Sequence, residues 1–296
     1  MLKILLFASL LIVADLAIGF GLDRLRDRAH GNNDPSRNHH IASVATDSVV
    51  IFGSSRGYHH YDSSLMADTL GLSVVNAGED GNGIILAYGR YLLMAERYTP
   101  KVALIDIEPG FDIAPGDNTR YLKPLRPFYE DAPALRQLFA DIEGSEPVKM
   151  YSHLYRYNSQ LPAMAKSLMA RDSLIDYDLL QGQDNDFEQK VARDKPFEAD
   201  YDPLKRRYLI KFIEECRKRG TLPVLAFSPH YGKSDSSELD QVKAIARQYN
   251  VPVLDHYADT AFVTKPQLFV DPFHLNSDGA RAYSALIARE LRDLFN

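Results

Sequence analysis

Tryptophan is absent from the 296 residues, and cysteine occurs once, at Cys216. One thiol excludes an intrachain disulfide and any multi-cysteine metal site. Cys216 falls in a helical pattern, Leu209 to Cys216, where a packed or idle side chain is expected. Basic excess is also missing. The net charge is -6 and the pI is near 5.9, so there is no strong positive field to neutralise phosphates. Nucleic acid is thereby excluded as a general partner. A phosphate loop is missing too: the glycine-rich turn at Ala77 to Gly83 is not Gly-x-Gly-x-x-Gly, and no Gly-Lys-Ser or Gly-Lys-Thr follows it. His39 and His40 adjoin, but no third ligand is placed by spacing, so no metal is expected. What is plentiful is tyrosine, with 17 residues, a weak pointer to a polar or sugar-facing surface.

With 45% hydrophobic and 25% charged residues, the chain can bury a substantial core in one large or two small domains. Its apolar residues first gather at the amino terminus, from Ile4 to Phe20, interrupted by Ser9, Asp15 and Gly19. That run of about 17 residues is at the short limit for a membrane-spanning helix. Ala14 to Ala17 and Gly19 to Gly21 offer only poor signal-peptidase sites, which leaves cleavage open. No cysteine follows, so a lipoprotein is excluded. Asp15 inside the run is costly in lipid, less so near an interface. Residues 1–21 are therefore expected to be a signal anchor or signal peptide. As an anchor they would hold the body outside the cytoplasm, periplasmic or extracellular; if cleaved, the body would be secreted. Residues 22–46, rich in Arg, Asp, Asn, Gly, His and Ser, are expected to be a linker.

The body, 47–296, alternates strands and helices. Val49 to Phe52, Ser73 to Asn76, Val102 to Ile107, Leu222 to Phe227 and Val251 to Asp255 read as strands. Helices are expected at Tyr61 to Leu70, Ile84 to Tyr98, Leu204 to Arg219, Ser236 to Tyr249 and Ser277 to Leu294. This pattern predicts right-handed βαβ units and a five-stranded parallel sheet. Residues 113–203 break the alternation and read as a helical insertion, with helices at Ala132 to Asp141 and Leu161 to Arg171. Two roles stay open for it: a cap over the carboxyl edge of the sheet, or an excursion packed elsewhere.

The chemistry-bearing residues sit at strand ends. The first strand empties into Gly53-Ser54-Ser55-Arg56, and such an edge is where open α/β sheets bind ligands. A serine hydroxyl needs a base to take its proton as it attacks a carbonyl. Imidazole suits the task, and a carboxylate holds its proton on the correct nitrogen. Asp271-Pro272-Phe273-His274, just before the last helix, offers both from one turn. A lone Asp-x-x-His is a weak signal, as is a lone Gly-Ser-Ser; their joint placement is much more specific. The glycine turn after the second strand could expose backbone N–H donors to an oxyanion.

With these residues the chain resembles the SGNH hydrolases, the GDSL-like lipases and esterases, over roughly residues 47–112 and 204–295. The resemblance implies a three-layer α/β/α, flavodoxin-like fold. It implies Ser55 as nucleophile, with Asp271 and His274 completing the triad. Asn76 and Gly81 match the second block, which implies oxyanion donors at the Ser55 and Gly81 amides. No metal or organic cofactor is implied. There are two departures. Ser54 replaces the usual first-block aspartate, a form that resembles envelope acyl-transfer relatives. The third-block asparagine is missing, since Glu108-Pro109-Gly110-Phe111-Asp112 stands there. Asn82 and His230 are the candidate substitutes, and Arg56 and His230 the candidate substrate-site residues. His59 and His60 lie near the site by sequence but are not expected to be the base. The expected activity is a serine esterase acting on acyl esters of envelope glycans. The alternatives are an envelope O-acyltransferase working with an acyl-transfer partner, and a non-catalytic binding or scaffold protein on the same fold.

Overall fold

The computed structural model describes residues 1–29, 33–158, 160–169, 176–195, 197–198 and 200–294. The chain opens with the apolar helix α1 (Leu2–Arg26) and the short α2 (Asp34–His39). Then follow β1 (Val49–Gly53), α3 (Ser55–His59), α4 (Ser63–Leu70), β2 (Val74–Asn76), α5 (Ile84–Ala95) and β3 (Val102–Asp106). The middle holds α6 (Pro133–Ile142), α7 (Glu146–Lys149), α8 (His153–Arg156), α9 (Leu161–Ser167) and α10 (Phe187–Arg193). The last third is α11 (Pro203–Arg219), β4 (Leu222–Phe227), α12 (Asp240–Gln248), β5 (Val253–Asp255) and α13 (Thr260–Val263). A two-stranded hairpin, β6 (Phe269–Asp271) and β7 (His274–Leu275), leads into α14 (Ser277–Asp293).

Two compact units emerge. One comprises Met1–Ala45, Leu92–Arg97 and Asn118–Ile175; the other comprises Thr46–Tyr91, Tyr98–Asp117 and Asp176–Asn296. The second contains the sheet, five parallel strands in the order β2-β1-β3-β4-β5. Its strands are nearly unbroken apolar runs because both faces are covered. Val49, Ile51, Val102, Leu104, Val224 and Ala226 pack on one face with Met66 of α4 and Tyr283, Ile287 and Leu291 of α14. The alternate residue Phe52 meets Tyr91 of α5 and Phe212 of α11 edge-on, at 6.5 and 5.6 Å between ring centres. The result is the α/β/α layering expected of the sequence. Strand order reverses between β1 and β3, so the carboxyl ends of these two strands flank the ligand crevice of such a fold.

Several boundaries differ from expectation. The helix expected at 61–70 is α4, which starts at Ser63 because Asp62 accepts from Leu65 N–H as its cap, and the short α3 before it was not expected. The helix expected at 236–249 begins as a 3-10 turn at Ser237–Leu239. The last helix starts at Ser277 as expected, and Asn276 caps it: its side chain accepts from the amides of Asp278 and Gly279. The region expected as linker is partly ordered structure: α2 buries Pro35 to Asn38, and Ile41 is fully buried. Arg97 bonds the Ala42 and Ala45 carbonyls at 3.0 Å each. Polar composition misled here, since these groups bond to one another instead of to water. The expected insertion also divides. Residues 118–175 group with the amino terminus, whereas 176–203 belong with the sheet. The end of the helix expected at 161–171 falls partly outside the described residues; α9 closes at Ser167.

Candidate active site

β1 ends at Gly53, whose φ of +146° and position suit only glycine. A Cβ there would lie 2.8 Å from the Asp106 carbonyl and 3.0 Å from the Gly57 Cα. The chain turns at Ser54 and presents Ser55 at the first position of α3. Ser55 Oγ lies 2.8 Å from His274 Nε2, although 219 residues separate them. His274 Nδ1 is 3.0 Å from each oxygen of Asp271. Asp271 Oδ1 also accepts the backbone N–H groups of Phe273 (2.8 Å) and His274 (2.9 Å). Burial alone would raise the Asp271 pKa, but the His274 ring and these two amides hold it below the ordinary carboxylate value. An ionised Asp271 fixes the His274 proton on Nδ1 and leaves Nε2 to accept from the serine hydroxyl. That is the geometry of a base-activated nucleophile.

The loop that carries Asp271 and His274 is held from behind. Leu275 N–H donates to His60 Nε2 at 3.0 Å, and His60 Nδ1 lies 3.0 Å from Ser228 Oγ. Ser228 donates to Asp106 Oδ1 at 3.1 Å, and Tyr61 donates to Asp106 Oδ2 at 2.5 Å. Every member is buried. Burial, aided by the neighbouring His274 and Arg56, keeps His60 well below its ordinary pKa, as its acceptor role at Nε2 requires. Burial pushes Asp106 up to about 7 against the opposing pull of Tyr61, Arg56 and Ser228. None of this was read from sequence. Its one available signal was a carboxylate at the end of β3, beside the crevice.

The remaining expected residues divide. Arg56 and His230 are together, but buried: Arg56 Nη2 lies 2.7 Å from His230 Nδ1, and the two are 1% and 3% exposed. Since guanidinium only donates, Nδ1 accepts and Nε2–H faces Asp194 Oδ2 at 2.9 Å. Burial lowers His230 to about 4, and the Arg56 charge adds to that. His230 is therefore a satisfied structural histidine. Arg56 Nε and Nη1 have no hydrogen-bond partner among the described residues. A cavity of about 570 Å3 is lined in part by Asp194, Tyr231, Lys233 and Glu238, and neither His230 nor Ser55 is in its lining. The Asn82 side-chain amide donates to the Asp80 carbonyl at 2.9 Å. Gly81 sits in the same turn with a φ of +66°. That turn faces the site's rim: Asp80 Oδ1 lies 2.9 Å from His59 Nε2, and the His59 ring stands edge-on to His274 with centres 6.3 Å apart. His59 Nδ1 bonds the Asp178 carbonyl, so both of its nitrogens face acceptors. Burial would lower His59, but Asp80 and Asp178 raise its pKa overall.

The third-block position is occupied by a closed turn. Glu108 accepts from Phe111 N–H at 3.0 Å, and Asp112 accepts from Ile84 N–H at 2.6 Å and Glu108 N–H at 2.8 Å. These carboxylates hold the backbone of the turn and the start of α5. Among the described residues, no group of three or more His, Cys, Asp or Glu could hold a metal ion.

No protein-family model matches the chain, and no curated protein matches it. Eleven solved chains do. One, from Desulfitobacterium hafniense DCB-2, is a protein assigned to the G-D-S-L family of lipolytic proteins. Its identity to this chain is 12% and the TM-score 0.42, over 82% of this chain and 98% of that one.

Proposed function

We propose that the chain is a serine-dependent acyl ester hydrolase. The observation that carries this reading is the Ser55–His274–Asp271 line, 2.8 and 3.0 Å between successive partners. In the proposed cycle Ser55 Oγ attacks the ester carbonyl while His274 Nε2 takes its proton. His274 then returns that proton to the leaving alcohol, and an acyl-Ser55 ester remains. Water, deprotonated by His274, attacks the acyl carbonyl; the Ser55 Oγ–acyl bond then breaks as His274 returns the proton to Oγ, and the acid is released. Asp271 orients His274 and stabilises the imidazolium. The developing oxyanion is assigned to the Ser55 and Gly81 amides. Without a third donor the enzyme would give up about 2.7–4 kcal/mol of transition-state stabilisation, so a slow esterase is expected.

Acyl esters of envelope glycans are the proposed substrates, because α1 is long and apolar enough to cross a membrane and would hold the body at its surface. An acyltransferase reading differs only in which acceptor meets acyl-Ser55. A non-catalytic reading draws on one observation, the structural turn at Glu108 to Asp112 where an oxyanion donor would stand.

The test is p-nitrophenyl acetate turnover by the full chain in detergent, beside Ser55→Ala and His274→Ala. Both variants are expected to fall to background, and a fluorophosphonate is expected to label Ser55. Equal rates in all three proteins, with no labelling, would leave the non-catalytic reading in place. Turnover that rises only when a glycan alcohol is added, with the acyl group recovered on the glycan, would select transfer.

A further inference from the structure

Asp15 lies within the apolar stretch of α1, where an ionised carboxylate is expensive. It is fully engaged. Oδ1 accepts from Ser152 Oγ (3.0 Å) and Leu154 N–H (3.1 Å); Oδ2 accepts from the His153 N–H (2.8 Å) and His153 Nδ1 (3.2 Å). One turn further along α1, Gly19 is buried against the same histidine. A Cβ there would fall 2.2 Å from the ring of His153, so only glycine admits the contact. A turn beyond that, Asp23 Oδ1 accepts from Tyr157 O–H at 2.5 Å. Arg26 donates to the Pro127 carbonyl at 2.6 Å and pairs with Asp131 at 3.2 Å. Asp15, Gly19, Asp23 and Arg26 follow at spacings of four, four and three, which is one face of a helix. An otherwise apolar helix thus carries a polar, close-approach stripe matched by α8 and the segments around it.

The residues flanking that contact are apolar and bare. Tyr151 and Leu154, on either side of Ser152 and His153, are 82% and 45% exposed. Leu161, Leu168 and Met169, in and just after α9, are exposed as well, and α9 packs against α1. If the apolar core is crossed between about Ile4 and Asp23, the rise of about 1.5 Å per residue puts Gly19 and Asp15 roughly 6 and 12 Å below that end. Interfacial helices sink about 5–10 Å into the headgroup and acyl boundary, which is the depth this contact would give α8.

We infer that α1 is retained as the spine of its helical unit, and that Tyr151, Leu154, Leu161, Leu168 and Met169 beside it lie in the lipid interface. This rests on the membrane reading of α1 and not on the chemistry of Ser55. The occupant is lipid because the exposed apolar residues continue the bare apolar surface of α1 itself. Cleavage at the alanines near residue 17, or at the glycines after it, would remove Asp15 and strip Ser152, His153 and Leu154 of their acceptor.

The experiment uses the full chain, purified from membranes and returned to phosphatidylcholine–phosphatidylglycerol vesicles. Its intact mass is expected to include residue 1 or 2. Spin labels at Tyr151→Cys, Leu154→Cys and Met169→Cys are expected to collide several-fold more with oxygen than with a water-soluble nickel chelate. Lys218→Cys, 74% exposed at its side chain in the other unit, is expected to show the reverse. Native Cys216 is buried and gives little background. Asp15→Leu makes α1 a better membrane helix, yet it is expected to speed amide exchange at 152–157, with Asp15→Asn intermediate. A mass lacking the first ~20 residues, labels open to nickel, or exchange unchanged by Asp15→Leu would each overturn the inference. A chain that keeps α1 but stays out of membranes would defeat the membrane reading itself, whatever its esterase activity.

Discussion

Asp271 is held by three donors, not one. Two backbone amides and the His274 ring share its carboxylate, and they outweigh the cost of its burial. Its pKa is depressed, so its contribution to stability is present above the ordinary carboxylate value and is lost as pH falls through the lowered one. Asp271→Asn keeps the shape and one acceptor oxygen but no longer dictates which ring nitrogen bears the proton. The proposed esterase is expected to lose about 10³–10⁴ in kcat, with a melting temperature within a few degrees of the parent. Steady-state kinetics beside a thermal melt check this, and a loss below tenfold would remove Asp271 from the mechanism. The Gly-Ser-Ser turn, Asp271 and His274 were legible in the sequence because each stands in a local setting that explains it, a strand end and a four-residue turn, while the choice of Ser55 over Ser54 came from the resemblance to the SGNH hydrolases. The support at His60, Ser228 and Asp106 was not, because its members are common residues whose bonded pairs lie 168 and 122 positions apart and only the folded sheet collects them. The bonding of His230 was out of reach for the same reason, since its partner Arg56 is 174 residues away.

At the scale of elements, β2 carries a residue whose work is to bind the turn after it to α3. Asn76 is fully buried. Its amide donates to the Gly57 carbonyl at 2.8 Å and its oxygen accepts from Gly78 N–H at 2.9 Å. Asn76→Ala would leave a buried carbonyl and a buried amide unpaired, at about 1–3 kcal/mol each. A melting-temperature drop of several degrees is expected, together with lower esterase activity as the Gly81 turn loosens. A melting temperature equal to the parent's would mean that the turn is held by other bonds. The strands were legible because a parallel sheet buried on both faces demands continuous apolar runs, such as Val49 to Phe52. α3 was not, since Ser-Arg-Gly-Tyr-His carries no apolar period and is fixed by the β1 turn. α2 was missed because its polar residues cap one another: the Asn33 side chain accepts from Ser36 N–H at 3.2 Å.

At the scale of the molecule, a net charge of -6 conceals carboxylates pulled in opposite directions. Asp271 lies below its ordinary value. For Asp194 and Glu238, burial alone would raise the pKa, but pairing with His230 and Lys233 respectively pulls it below the ordinary value. Asp106 and Asp112 are pushed up to about 7, chiefly by burial. The two classes give stability slopes of opposite sign. The depressed group favours folding above the ordinary carboxylate pKa. The raised group favours it below that value, and this contribution is lost as pH climbs to about 7, because the unfolded chain has already released its protons. For Asp106 the loss is at most about 1.4 kcal/mol for each pH unit in that interval. Asp106→Asn removes a titrating group while keeping an acceptor for Tyr61 or Ser228. The variant is expected to melt below the parent at pH 4.5 and to close part of that gap by pH 7, read in the same detergent at both values. A gap that is constant, or that widens toward pH 7, would mean that Asp106 is ionised throughout. The buried Tyr61–Asp106–Ser228–His60 line would then be a charged network, held by Arg56 nearby.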